Sequence, residues 1–132
     1  MGLITRLRLA GAVRSGKVER VVALLAGGAD PNEHSAGGAT ALMVAAGADQ
    51  AAVVNALLDH GAAIDARDAQ GRTALLHAVQ GRAGAAARAL LDRGAGADIE
   101  TVTGETALDI ARQTEQVDML KLLMAARASR RG

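Results

Sequence analysis

The residues able to do chemistry are few and scattered. The three histidines, His34, His60 and His77, are the natural candidates for a metal ligand or a general base. In the repeat register derived below they fall at a loop, at the end of a second helix and within a first helix, so they do not converge on one metal. His60, next to Gly61, is expected near a helix C-terminus. His77 reads as a packed or partly exposed helix residue. Asp65, Asp68, Asp98 and Glu100 sit at loop positions and read as turn formers, not as an acid and base pair. The serines, Ser15, Ser35 and Ser129, have no Ser-His-acid arrangement. Gly81-Arg82-Ala83-Gly84 lacks the strand-turn-helix setting and the Lys of a phosphate-binding loop, and reads as a loosened turn between helices. With no Cys, disulfides, thiolate metal sites and thiol nucleophiles are excluded. The expectation is a protein that is not an enzyme and needs no metal, cofactor or small-molecule substrate.

The elements that would position these residues follow from composition and periodicity. The chain has 132 residues, half of them apolar, and no Phe, Trp or Tyr. One domain over residues 1–132 is expected, with a thin core of Leu, Val, Ile, Met and Ala between short elements. The lack of aromatics argues against base stacking on single-stranded nucleic acid. No apolar run approaches the roughly 18 residues of a membrane span, and Arg6 and Arg8 interrupt the N-terminal apolar stretch, against a signal peptide. Cytoplasmic location and a monomer are expected. Net charge is +1 but uneven: +4 over residues 1–20, −6 over 21–126 and +3 over 127–132. The basic ends, including a basic tail at 127–132, read as solvated termini, with nucleic acid not the expected partner.

A single period organises the chain. Thr40-Ala41-Leu42, Thr73-Ala74-Leu75 and Thr106-Ala107-Leu108 are spaced by 33 residues, as are Gly38, Gly71 and Gly104. Gly28, Gly61 and Gly94 keep the same period, each followed by Ala, with Asn32, Asp65 and Asp98 four residues further on. The threonines suit helix N-caps. Small residues such as Ala45-Ala46 and Ala78-Val79 allow close helix approach. Second helices read from apolar i, i+3, i+4 spacing, as in Val21, Leu24 and Leu25 or Val54, Leu57 and Leu58. The helix-ending glycines suit a left-handed backbone, and Gly38, Gly71 and Gly104 suit tight turns.

This 33-residue pattern of Gly-x-Thr-x-Leu and Leu-Leu-x-x-Gly-Ala resembles the ankyrin-repeat family. The resemblance covers essentially the whole chain as four repeats, about 2–34, 35–67, 68–100 and 101–132. It implies an all-α solenoid of stacked helix-turn-helix units with projecting hairpin loops. Where family repeats often carry Pro after the Thr, this chain has Ala41, Ala74 and Ala107; where they carry His after the Leu, it has Met43, Leu76 and Asp109. Leu3–Leu9, which alternates like a strand, is taken by register as the first helix of a capping repeat. The third repeat is thin, with Gly84, Ala86 and Ala87 where the second has Ala51, Val53 and Val54. At about 0.8 kcal/mol per methylene this removes a few kcal/mol of local burial, so the fastest amide exchange among internal helices is expected there.

The resemblance implies that the chain binds a partner protein through hairpin tips and the exposed side of the first helices. By register these are Arg14 and Ser15 in repeat one. Repeat two offers only small residues, Ala36, Gly37, Ala39, Gly47 and Ala48. Repeat three supplies Gln70, Arg72, Gln80 and Arg82. Repeat four supplies Val102, Thr103, Glu105, Gln113 and Thr114. Arg14 and Arg72 are expected as the strongest charged contacts, since Arg clamps carboxylates bidentately and is enriched at hot spots. A regulatory subunit fits this reading. A neutralising partner of a toxin or enzyme, and a scaffold without natural ligand, are the alternatives.

Overall fold

The computed structural model describes residues 2–131 of the chain, with side chains for 9–129. Among the described residues eight helices run in order: α1 (Gly2–Ser15), α2 (Val18–Ala26), α3 (Ala41–Gly47), α4 (Ala51–Asp59), α5 (Ala74–Gln80), α6 (Gly84–Asp92), α7 (Ala107–Gln113) and α8 (Val117–Arg131). They form four pairs stacked in two layers. The first helices pack in succession α1–α3–α5–α7, and the second helices α2–α4–α6–α8. The structure is the all-α repeat solenoid that the sequence implies.

The local rules explain the helix starts. The hydroxyls of Thr40, Thr73 and Thr106 accept from the backbone N–H groups of Met43, Leu76 and Asp109, each at 3.3 Å, satisfying donors that the first helical turn leaves orphaned. Asp109 completes a capping box: its carboxylate accepts from the Thr106 backbone N–H at 3.0 Å and from the Thr106 hydroxyl at 3.0 Å. Second helices end one residue or so before glycines with left-handed φ, as at Gly61 (94°).

The apolar stripes meet in one continuous core. Val13, Leu42, Met43, Leu57, Leu75, Leu76, Leu90 and Leu123 are among its fully buried side chains. Small residues bring the first helices close together. A Cβ on Gly81 would overlap the Gly47 carbonyl oxygen, so the ends of α3 and α5 touch backbone to backbone.

Turns between paired helices share one geometry. Gly16, Asp49, Arg82 and Glu115, again 33 residues apart, have φ of 71°, 59°, 56° and 55°. Three of the four are therefore non-glycine residues held in the left-handed region, which carries a conformational cost. The turn at Gly81-Arg82-Ala83-Gly84 is not loosened: Arg82 is its left-handed residue, Ala83 is fully buried, and Gly84 already starts α6. Side chains at these turns reach forward to the next repeat. The Asp49 carboxylate accepts from the Ala86 N–H at 2.9 Å, and the Arg82 guanidinium donates to the Thr114 carbonyl at 2.7 Å.

The loops stitch the repeats a second time. Asn32 donates to the Gly61 carbonyl and accepts from the Ala63 N–H at 2.7 Å; Asp65 accepts from the Gly96 N–H at 2.9 Å. Asp98 instead pairs with Arg127 at 3.2 Å. Arg127 stands in register with the helix-ending Gly28, Gly61 and Gly94. No glycine breaks the chain there, and α8 continues to Arg131, so the expected basic tail is mostly helix. The side chains of Arg6, Arg8, Arg130 and Arg131 lie outside the described residues.

Candidate protein-binding face

Between helix pairs the chain forms fingers at 35–39, 68–72 and 101–105. Each is closed by a hydrogen bond between its ends: Ser35 N–H to the Ala39 carbonyl at 3.0 Å, Asp68 to Arg72 at 3.0 Å and Thr101 to Glu105 at 2.9 Å. The fingers also bond to each other, Ala69 N–H to the Gly37 carbonyl and Val102 N–H to the Gln70 carbonyl, both at 2.9 Å. Gly71 is required at this contact: its φ is 77°, and a Cβ would lie 2.9 Å from the Val102 nitrogen. Despite this hairpin shape, strand-like pairing among the described residues is limited to the isolated bridge of His34 with Thr40.

Numbered after their repeats, the fingers at 35–39, 68–72 and 101–105 are two, three and four, and finger three folds onto α5 through a polar network. Arg72 donates from Nε to Asp68 at 3.0 Å, from Nη1 to Gln80 at 3.2 Å and from Nη2 to Gln70 at 3.4 Å. The His77 Nε2–H donates to the same Asp68 oxygen, at 2.9 Å. Three expected binding residues, Gln70, Arg72 and Gln80, thus come together, joined by two that were read otherwise. Asp68 is a turn former, as its sequence position suggests: its other oxygen accepts from the Gln70 and Arg72 backbone N–H groups at 3.0 and 2.9 Å. It is also the hub of the cluster, with its side chain only 2 % exposed. Burial pushes its carboxyl up, but the Arg72 N–H, His77 and the Arg72 guanidinium outweigh this and hold it below the usual carboxylate range. Arg67 braces the finger from behind, donating to the carbonyls of Gly71, at 3.0 Å, and Glu100.

The remaining expected residues do not join that cluster. Arg82 is exposed but bonded to repeat four. Val102 is 68 % exposed at the tip of finger four, where Thr103 donates to Glu105 at 3.3 Å. Gln113 is exposed at the end of α7. The Thr114 hydroxyl turns back to the Ile110 carbonyl at 2.7 Å and accepts from Gln116 at 2.8 Å, so it serves the helix end. Arg14 and Ser15 are exposed in the last turn of α1, and Arg14 lines a cavity of about 390 Å³ between α1, α3 and finger two.

That cavity was not foreseen. Its walls include Leu9 and Val13 from α1, Val44 from α3, and Ala36 and Ala39 from the finger. Register explains it. Where repeat three has Asp68, Gln70, Arg72, His77 and Gln80, repeat two has Ser35, Gly37, Ala39, Val44 and Gly47. The signal was in the 33-residue alignment, but only read across finger and helix together.

Among the described residues, no group of three or more His, Asp or Glu side chains could hold a metal ion, and no helix is long and apolar enough to cross a membrane. Stacked helix pairs with stacked fingers define a repeat solenoid. The family model for ankyrin repeats, in three copies, matches residues 9–101, and the chain belongs to that family. Ankyrin repeats are in general protein-interaction modules and typically not enzymes. The search of curated proteins finds no match.

Proposed function

We propose that this protein binds another protein, without catalysis, through its finger tips and the exposed side of its first helices. The observation that carries this is the run of hydrogen-bonded fingers at 35–39, 68–72 and 101–105 beside the successively packed first helices. Arg14, Ser15, Gln70, Arg72, Gln80, Arg82, Val102, Thr103, Glu105, Gln113 and Thr114 are its contact residues. The Arg72 guanidinium is pre-positioned by Asp68, Gln70 and Gln80, which lowers the ordering cost of a contact made there. We place the chain as a monomeric regulatory subunit in the cytoplasm, with no cofactor.

The test is a tagged pull-down from source-cell lysate beside a bait carrying Arg14→Glu and Arg72→Glu, with circular dichroism confirming that both baits are helical. A protein held by the native bait and lost from the variant supports the reading. Equal retention by both moves the site off this face.

A further inference from the structure

We propose that the cavity between the first two repeats binds an aromatic side chain of a partner protein that has a carboxylate next to it in sequence. The ring enters among Leu9, Val13, Ala39 and Val44, and the carboxylate pairs with Arg14. This rests on the finger-face reading above and adds the chemistry of the partner.

The size fits: about 390 Å³ falls within the roughly 300–1,000 Å³ of pockets that enclose small organic groups. The walls fit as well. Leu9 and Val13 are buried core residues that back the cavity, and Val44 and Ala39 are half-buried in its wall. An apolar body is therefore the occupant that gains most by entering.

Charge decides what flanks it. Arg67, Arg72 and Arg82 are all engaged within the finger and turn layer, whereas the side chain of Arg14 makes no hydrogen bond or ion pair among the described residues. Glu33, which also lines the cavity, already has a partner. The uncommitted guanidinium at the wall favours an anion, and a carboxylate matches its fork. The ring must come from a different protein. Interface anchors are typically aromatic, and this chain has no Phe, Trp or Tyr to offer, in one copy or two.

The absence of Trp makes the test clean, because any Trp emission comes from the ligand. The probe is a short blocked peptide with a Trp-Asp pair in an Ala/Gly background. A saturable blue shift of its emission is expected with the native protein. Arg14→Glu should weaken binding about tenfold, equivalent to about 1.4 kcal/mol, and should reverse the preference toward a Trp-Lys peptide. Ala39→Leu, which fills the cavity from the finger, should abolish the shift, while Arg88→Ala on α6 should leave it unchanged. No saturable shift with native protein, equal binding of Trp-Asp and Trp-Lys peptides, or full binding by helical Ala39→Leu would overturn the proposal. The two readings fail separately. A lysate partner retained by Ala39→Leu but lost on Arg72→Glu removes the cavity and keeps the finger face; a partner indifferent to both removes the finger face.

Discussion

Repeats two and three share a backbone and present opposite surfaces. In repeat three, Asp68, Gln70, Arg72, His77 and Gln80 lock finger to helix with charged hydrogen bonds. In repeat two, Ser35, Gly37, Ala39, Val44 and Gly47 occupy the same five positions, and Ser35, Ala39 and Val44 line a cavity against α1. Fold and surface are therefore specified separately. Thr caps, helix-ending glycines and the aliphatic stripe recur and build the solenoid, while five positions per repeat decide whether the face is filled or hollow.

The largest effect expected from breaking this contrast is at Asp68. Asp68→Ala removes the acceptor of two backbone N–H groups, His77 and Arg72, and should cost about 3 kcal/mol, since bonds to charged groups contribute about 1.5–3 kcal/mol and orphaned donors add a penalty. Ser35→Ala, its exposed counterpart, should stay within about 0.5 kcal/mol. Urea unfolding of both variants measures the difference; equal costs would show that the network contributes nothing to repeat three.

Next is the seam between the two repeats. Gly81→Ala places a methyl against the Gly47 carbonyl and should destabilise by about 2 kcal/mol through overpacking. Thermal melts check this, and an unchanged midpoint would mean that the helices separate freely.

Acid should act on repeats three and four. The carboxyl of Asp68 is held below the usual carboxylate range despite burial, by hydrogen bonds from Arg72 and His77; that of Asp109 is held below it by its bonds from the Thr106 N–H and hydroxyl, with Arg112 adding to the effect. Each depressed group binds its proton more tightly in the unfolded chain. Its stabilisation is complete above the unfolded value and is lost as pH falls through the folded one. Stability measured downward from pH 5 should decline, with a shallower decline in Asp68→Asn; identical slopes would remove Asp68 from the acid response.

The smallest effect sharpens the comparison in the second layer. Ala86 and Ala87 of α6 bury less apolar surface than Val53 and Val54 of α4, although the Asp49 carboxylate holds the Ala86 N–H of α6 and Arg93 pairs with Asp59 at 2.7 Å. Amide exchange in α6 should be about fivefold faster than in α4, the equivalent of about 1 kcal/mol. Equal or slower exchange would show that these ties offset the missing methyls.

The repeat fold was legible because each recurring residue carries its own local rule. Thr40, Thr73 and Thr106 cap helices wherever they occur, and Gly28, Gly61 and Gly94 end them. The absence of glycine at Arg127 even marks where α8 runs on. The turns were less legible, because Asp49, Arg82 and Glu115 adopt a left-handed backbone that their side chains do not favour; stacking with neighbouring repeats imposes it. The face was least legible. Asp68 and His77 meet only because a finger folds back over α5, and the cavity forms where Ser35, Ala39 and Val44 come together with Leu9 and Val13 of α1.

The most direct test of binding through the finger face is amide-exchange footprinting of this protein with its captured partner. Protection is expected over fingers 35–39, 68–72 and 101–105 and the exposed turns of α1, α3, α5 and α7. Protection confined to α2, α4, α6 and α8, with the fingers exchanging as in the free protein, would contradict it.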